Sequence, residues 1–311
     1  MTTHPTAVIC TPLELEYRAV RGLIGGTATE EHHRGSVYER FDYRGRKADW
    51  RLVLALTGRG NTETSAAVER ALAAWEPQVL LLVGVGGGLR RSAVGDVVAA
   101  TKVYGYEGGQ DTDLEYLPRI DSLPTSAILD EQAKRVSLEG TWIWRAEPEA
   151  DTAPEVHHRP IASGGKVVTG SASDTAELIR KHFSDATAID MEGFGAMAAA
   201  RQVRGVEATV IRGVSDRLDD KDKETDKRTQ PMAARRAAAF ALALIDRYDP
   251  DPVEPAPAPT PPSSKYHFEQ QPGSNTTIGY MGDGGNATFG AIGTNATGHI
   301  HHHYRDEEED R

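Results

Sequence analysis

An uninterrupted apolar run, VLLLVGV at residues 79–85, constrains the fold of this chain more than any other feature. It shows no alternation of apolar and polar residues, and glycines end it. That pattern is typical of a strand buried on both faces, and such strands occur in parallel or mixed sheets covered by helices. The run is too short to span a bilayer, so no membrane partner is expected.

Further apolar runs alternate with alanine-rich or helically periodic segments over the first 248 residues. Strands are predicted at 7–10, 51–56, 79–85, 96–101, 166–169, 187–190 and 206–211. Helices are predicted at 13–24, 61–75, 173–182, 192–202 and 231–247. The alternation predicts an α/β fold with a central, mostly parallel mixed sheet flanked by helices. Ligands in such folds bind beyond the carboxyl ends of the strands.

The composition changes after Asp249, which divides the chain into three parts. Residues 5–248 carry the α/β pattern, and residues 249–264 are proline-rich and predict an extended linker. Residues 265–311 are rich in glycine, asparagine, threonine and histidine and are too short to bury a core. A crude repeat in this tail begins at Asn275, Asn286 and Asn295, and the chain ends in an acidic run.

The charge and cysteine content restrict the partners. The chain has 46 acidic and 35 basic residues, a formal net charge of −11, which argues against binding to a nucleic-acid backbone. The net negative charge is compatible with a small anionic substrate, because such a substrate needs only a local positive site. Cys10 is the one cysteine, and no secretory signal pattern opens the chain, so a reducing, cytoplasmic location is expected.

Four stretches place glycines and acidic side chains directly after predicted strands. They are PLELEY at 12–17, GVGGGL at 84–89 with Gly95-Asp96 behind it, DMEG at 190–193 and RGVSD at 212–216. A short glycine-rich turn alone means little. Together, these stretches predict a site where several carboxylates meet at one edge of the sheet.

In this order and spacing, the four stretches resemble the nucleoside phosphorylase/nucleosidase superfamily. They resemble in particular the methylthioadenosine/adenosylhomocysteine nucleosidase-like domains fused to signalling modules in bacteria and fungi. The resemblance covers nearly all of residues 5–248. It implies an N-glycosidase for a purine nucleoside or nucleotide, with adenine release from ATP or a related nucleotide among the activities. It also implies an effector role in signalling or antiviral defence, a homo-oligomer, and no cofactor or metal.

The resemblance assigns catalytic roles to individual acidic residues. Glu16 would position the attacking water, with Glu14 as the alternative. Glu192 would hold the ribose hydroxyls. Asp216, oriented by Ser215, would protonate or hydrogen-bond N7 of the purine.

The resemblance also supplies the rest of the site. Arg212 would lie near the water and the acidic cluster. The remaining substrate-binding candidates are Gly86, Gly87, Met191, Val167, Val168 and Arg59. Val167 stands where the family often has an aromatic residue that stacks on the base, which is a departure from the pattern. Arg59 is a candidate phosphate contact.

These assignments fit the chemistry of glycoside cleavage. The transition state resembles an oxocarbenium ion, so carboxylates near the sugar stabilise the developing positive charge. A purine leaves readily only when N7 receives a proton, which needs an acid of raised pKa. Carboxylates that share one cleft raise the pKa of one another and supply such an acid.

Water is the predicted nucleophile. Phosphorolytic relatives carry an arginine and a serine or threonine where this chain has Leu82 and Val85, and neither of these side chains binds phosphate. Two alternatives stay open: a phosphate-dependent purine nucleoside phosphorylase, and a non-catalytic nucleotide-sensing module with an assembly tail.

Other basic residues are candidates for binding the phosphates of a nucleotide. Arg90 and Arg91 follow the glycine-rich stretch. The segment RLDDKDKETDKR at 217–228 is either a mobile lid that uses its lysines or a solvated segment of balanced charge.

The tail resembles the glycine- and asparagine-containing amyloid signalling motifs of some bacterial and fungal proteins. It therefore predicts a homotypic assembly through residues 275–300, in which asparagines and apolar side chains stack in register. The alternative is a disordered, low-complexity tail.

Overall fold

The computed structural model describes residues 4–218, 223–250, 266–270, 277–283 and 286–292. The chain divides into two units, Met1–Val253 and Glu254–Arg311. From residue 251 on, the predicted linker lies outside the described residues, and so do residues 265, 271–276, 284–285 and 293–311 of the tail.

The strands and helices of the first unit alternate for most of its length. The strands are β1 (Thr6–Thr11), β2 (Thr29–His33), β3 (Ser36–Arg44), β4 (Asp49–Leu56), β5 (Val79–Gly88), β6 (Val97–Gly105), β7 (Gly109–Asp111), β8 (Tyr116–Pro118), β9 (Asp121–Pro124), β10 (Val156–Ser163), β11 (Ala188–Asp190) and β12 (Glu207–Arg217). The helices are α1 (Glu14–Ile24), α2 (Asn61–Trp75), α3 (Ala127–Glu139), α4 (Ile143–Ala146), α5 (Asp174–His182), α6 (Gly193–Ala200) and α7 (Lys223–Arg247).

Ten of these strands form one mixed sheet in the order β11-β10-β6-β12-β5-β1-β4-β3-β2, with β9 paired to β6. The strands β4, β1, β5 and β12 are parallel to one another, whereas β2, β3 and β4 are antiparallel. The predicted α/β architecture with helices around a mixed sheet is thereby confirmed. The sheet is not mostly parallel, however, because half of its strand pairings are antiparallel.

Several features were not predicted. The strands β2, β3 and β9 and the helix α3 have no counterpart among the predicted elements. In addition, β11 pairs with β5, so β5, β12, β6, β10 and β11 close into a barrel-like ring.

The core lies on both faces of the sheet, as the unbroken apolar runs require. Alternate residues of β1 enter different clusters: Ala7 and Ile9 face the side of α7, and Val8 and Cys10 face the side of α2 and α6. Alanines 237–239 and 241 of α7 are fully buried, so this helix lies close to the sheet.

One predicted strand is wrong. Residues 166–169 belong to the loop between β10 and α5, and the strand comes earlier, at Val156–Ser163. The sequence of β10, VHHRPIAS, is polar and contains Pro160, which is atypical of a buried strand. The register of β10 on β6 shifts between Arg159 and Ile161, so this proline sits at a bulge, where a missing N–H is tolerated.

The start of α6 is fixed against the start of α2, and this contact positions the acidic segment that precedes α6. The Oδ1 atom of Asn61 accepts hydrogen bonds from the Gly195 N–H, at 2.8 Å, and from the Ser163 hydroxyl, at 3.1 Å. A Cβ atom on Gly195 would overlap the backbone of Asn61. Only glycine therefore allows this approach.

The second unit has three described strands, β13 (Tyr266–Gln270), β14 (Thr277–Asp283) and β15 (Asn286–Ile292). They form an antiparallel sheet in which β14 is central. Among the described residues of the whole chain, no helix is long and apolar enough to cross a membrane.

Replacing Gly195 tests the contact between α2 and α6. Gly195→Ala is expected to cost about 1–3 kcal/mol of unfolding free energy, the usual cost of overpacking, and to lower Tm by several degrees. Gly22→Ala is the matched control, because Gly22 is also helical but a Cβ there meets nothing within 4 Å. The control should keep or raise Tm. Equal Tm values for the two variants in thermal unfolding followed by circular dichroism would contradict the contact.

Candidate active site

A cavity of about 210 Å³ lies at the carboxyl ends of the strands. Most of the sequence-predicted residues line it: Glu16, Arg59, Gly86, Gly87, Val167, Val168, Met191, Glu192, Ser215 and Asp216. Its volume far exceeds that of a single water, and it opens to solvent. Side chains from segments 200 residues apart in the chain thus share one cleft.

Glu16 is held rigidly at the base of the cleft. It is the third residue of α1 and only 2% exposed. Its Oε2 atom accepts the Leu13 N–H and its Oε1 atom the Val85 N–H, both at 2.7 Å. Burial raises the pKa of this carboxyl to about 7, although Arg212 and the two N–H donors act in the opposite direction. The carboxylate and the protonated form are therefore both accessible near neutral pH.

Arg212 lies directly behind the cleft and is fully buried. Its Nε and Nη2 atoms lie 2.8 and 2.7 Å from Oδ2 of Asp190, and Nη2 lies 3.1 Å from Oε2 of Glu192. In the part of the chain that the structure describes, its Nη1 atom has no hydrogen-bond partner. A Cβ on Gly84 would overlap both this Nη1 and the Glu16 carboxylate, so the missing side chain lets the two groups lie side by side.

Glu192 stands at the N-terminus of α6 with both carboxylate oxygens engaged. Oε1 accepts the Gly60 N–H at 3.0 Å, and Oε2 accepts from Arg212. Burial raises the pKa of Glu192, Arg212 lowers it, and the neighbouring Asp190 raises it further. Asp190 also accepts the Gly193 N–H, so it holds both the turn into α6 and the guanidinium.

A β-bulge brings Asp216 into the cleft. The pairing of β12 with β5 runs through Val214 opposite Gly86 and resumes with Asp216 opposite Gly87, which leaves Ser215 as the extra residue. Bulges next to functional sites redirect side chains in this way. The Ser215 hydroxyl donates to Oδ1 of Asp216 at 2.7 Å and fixes that carboxylate.

The loop after β10 forms one wall of the cleft. Val168 is buried, and Val167 is 61% exposed at the cavity. The Gly165 N–H donates to Oε2 of Glu107 at 2.7 Å, which ties the loop to the end of β6. Lys166 lines the cavity as well. It was not among the predicted site residues, because the pattern of residues 166–169 is typical of a strand.

Several residues that were predicted to belong to the site lie outside the cavity. Glu14, the alternative to Glu16, is exposed outside the cavity and pairs with Arg18 at 2.5 Å. Arg90 donates to the Arg180 carbonyl, and neither it nor Arg91 lines the cavity.

The predicted lid can be described only in part. Lys221 lies outside the described residues, as do the side chains of Lys223 and Lys227. Arg228 does not line the cavity, but Gln230, from the same helix, does. Two positions were predicted to correspond to the phosphate ligands of phosphorolytic relatives. Of these, Leu82 is buried in the core, and Val85 contacts Glu16 through its backbone.

One group of described residues has the composition of a metal site but lies apart from the cleft. Asp96, Glu155 and His157 offer ligand atoms within 4.8 Å of one another. His157 Nε2 lies 2.8 Å from Oδ2 of Asp96, which is a hydrogen-bond distance. The contact joins β10 to the turn before β6, and we assign it a structural role.

Carboxylates that converge with a buried arginine at the strand ends of an α/β sheet define a small-molecule site suited to acid–base chemistry. The model of one protein family, described as Phosphorylase superfamily, matches residues 5–246. The chain belongs to that family, and the resemblance drawn from the four stretches is confirmed at this level.

Two curated relatives are of about equal similarity. The ATP nucleosidase Cap17 of Escherichia coli (strain KTE188) is 26% identical over 210 residues, which cover 62% of this chain and 40% of that protein. The 5'-methylthioadenosine/S-adenosylhomocysteine nucleosidase of Haemophilus influenzae (strain PittEE) is 25% identical over 206 residues, 63% of this chain and 81% of that protein. The match to Cap17 thus spans less than half the length of that relative.

Solved structures share the fold. The futalosine hydrolase of Helicobacter pylori strain 26695 superimposes with a TM-score of 0.65 at 19% identity, over 78% of this chain and 98% of that one. A putative 5'-methylthioadenosine/S-adenosylhomocysteine nucleosidase from Francisella philomiragia gives a TM-score of 0.64 at 23% identity, over 80% of this chain and 100% of that one.

Proposed function

We propose that this chain is an N-glycosidase that hydrolyses a purine nucleoside or nucleotide and releases the base. The observation that carries the proposal is the convergence of Glu16, Glu192 and Asp216 on one cleft, with Arg212 buried behind them. The relatives named above are nucleosidases and a hydrolase, which supports the same activity.

Asp216 acts on the leaving group. When the bond between the ribose C1′ and N9 of the purine breaks, its electron pair moves into the purine ring. A proton or a strong hydrogen bond at N7 stabilises that charge, and Asp216 supplies it. The Ser215 hydroxyl orients the Asp216 carboxyl through the 2.7 Å hydrogen bond. The bulge at Ser215 determines where this acid meets the base.

Glu192 acts on the sugar. One of its oxygens is held by Gly60 and the other by Arg212, so the carboxylate has a fixed orientation at the cleft surface. It accepts hydrogen bonds from the ribose hydroxyls and places negative charge near the oxocarbenium-like transition state.

Glu16 and Arg212 act on water. In the described part of the chain the Arg212 Nη1 atom has no hydrogen-bond partner, and it lies next to the Glu16 carboxylate, which lines the cavity. Water held there gives its proton to Glu16 as its oxygen bonds to C1′, and a pKa of about 7 suits a base at neutral pH. Leu82 and Val85 offer no side-chain ligand for phosphate, so the phosphorylase alternative is not favoured.

The proposed substrates are adenine nucleosides and nucleotides. ATP is included because one relative is named an ATP nucleosidase. In this proposal the enzyme is an effector of a signalling or defence system, and it acts by depleting its substrate.

Substitution of Glu16 tests the proposed base. Glu16→Gln keeps the size of the side chain but removes the proton acceptor, so kcat for base release should fall by about 10²–10⁴. Glu14→Gln is the matched control, because Glu14 is exposed and outside the cavity, and it should retain wild-type activity. Chromatography of free adenine, with and without inorganic phosphate, is the measurement.

Three results would contradict the proposal. Strict dependence on phosphate would favour a phosphorylase. An unimpaired Glu16→Gln enzyme would remove Glu16 as the base. A folded chain that binds adenine nucleotides without cleaving them would favour the non-catalytic sensor.

The pH profile tests the raised pKa of Glu16. The active form is the carboxylate, so protonation at low pH inactivates the enzyme. We expect kcat/KM to be level above pH 7 and to fall about tenfold per unit below it. A carboxyl with the ordinary value of 4.5 would keep the plateau down to about pH 5, which is the contradicting result.

We also propose that the second unit mediates homotypic assembly. The described strands β13 and β15 are the edges of a three-stranded sheet, and edge strands are templates for pairing with other chains. Sedimentation should show large assemblies of the full chain and only small oligomers of a chain ending at Asp249. Equal sedimentation of the two would contradict the assembly.

A further inference from the structure

Four carboxyl groups lie close together at the base of the cleft. They belong to Glu16, Asp190, Glu192 and Asp216, and the buried Arg212 is already engaged with Asp190 and Glu192. A substrate that carries phosphates would be repelled by these carboxylates unless cations at the rim kept its phosphates apart from them. The identity of the rim residues therefore decides whether a nucleotide is accepted.

Arg59 lies at the ribose side of this rim. It stands between Gly58 and Gly60, whose φ angles of 83° and 89° are in the left-handed region and fix a tight turn. The Gly60 N–H is the donor that holds Oε1 of Glu192, the proposed ribose ligand. Arg59 is thus one residue from the sugar site, and its exposed side chain lines the same cavity. Within the described residues it makes no ion pair.

Lys166 lies on the loop after β10, which forms another wall of the cavity. The ring of Tyr106 packs so closely on Gly164 that a Cβ there would overlap it, and Glu107 holds the Gly165 N–H. These contacts fix the backbone immediately before Lys166. Its exposed side chain lines the cavity, and the described part of the chain offers it no carboxylate within 4.0 Å. By contrast, Arg21 and Arg236, which lie elsewhere in the first unit, each pair with a glutamate, at 2.7 and 2.6 Å.

We propose that Arg59 and Lys166 bind the phosphates of the substrate, so that the enzyme selects 5′-phosphorylated purine nucleosides over uncharged ones. The inference rests on the proposed function and narrows its substrate class. A guanidinium can bind two phosphate oxygens through its fork of N–H donors, and an ammonium adds a point charge. Among the described residues neither cation forms an ion pair with the buried carboxylates, so specificity and chemistry use separate residues.

Free inorganic phosphate has the same chemistry as the phosphates of a nucleotide. If the two cations bind free phosphate as a reactant, cleavage of adenosine depends on added phosphate. If they bind the phosphates of the substrate, AMP and ATP are cleaved in phosphate-free buffer, and added phosphate only competes with the nucleotide for binding. The experiment therefore includes both conditions.

The test compares kcat/KM of the intact chain for adenosine, AMP and ATP in phosphate-free buffer. We expect a preference for the nucleotides that weakens as salt is added. Arg59→Ala and Lys166→Ala should each lower kcat/KM for the nucleotides about tenfold relative to adenosine. Arg204→Ala and Lys47→Ala remove exposed cations that do not line the cavity, and they should leave the preference unchanged.

An unchanged preference in both Arg59→Ala and Lys166→Ala would overturn the inference, as would phosphate-dependent cleavage of adenosine. If the wild-type chain releases no base from any substrate, the proposed function fails, and calorimetric titration with AMP and adenosine still tests the two cations. AMP binding that is tighter than adenosine binding and is lost in the variants supports the inference. Equal binding of the two ligands overturns it.

Discussion

The buried guanidinium of Arg212 is the interaction on which the site depends. A charge with no exposure to water is tolerated only when it is paired, and removing one partner of a buried ion pair costs about 3–5 kcal/mol. Asp190 and Glu192 are these partners, and both lie where β11 passes into α6. Because the buried Arg212 must be neutralised, its ion pair with Glu192 holds this proposed ribose ligand in place before any substrate binds.

Small residues make this arrangement sterically possible. Gly84 leaves room for Glu16 and Arg212 to lie together, and a Cβ on Gly213 would overlap the backbone of Ala233 in α7. The buried alanines of α7 have the same effect along the sheet. Glycine and alanine near the strand ends reduce the distance between backbone segments, and the charged groups of the cleft occupy the space that remains.

The sequence predicted the features that arise from strong local patterns. Continuous apolar runs located β1, β5 and most of the central sheet, and alanine-rich periodicity located α2 almost to the residue. The prediction failed where tertiary contacts overrule local preference. Strand β10 contains Pro160 at a bulge, and the closure of β11 on β5 involves two residue pairs between distant segments. Within the site, the acidic residues stood out in the four stretches, whereas Lys166 did not, because only the folded loop brings it to the cleft.

The same geometry explains how one cleft supports two opposite proton transfers in the proposed reaction. Glu16 is buried against backbone N–H groups, and burial places its pKa near 7, where it can accept a proton. Asp216 is presented by a bulge on a different strand and is oriented by a hydroxyl. Because separate backbone elements carry the two carboxyls, each environment is set independently, which is the condition for an acid and a base to coexist at one pH. Residues at the rim can then change with the substrate while the buried groups stay the same.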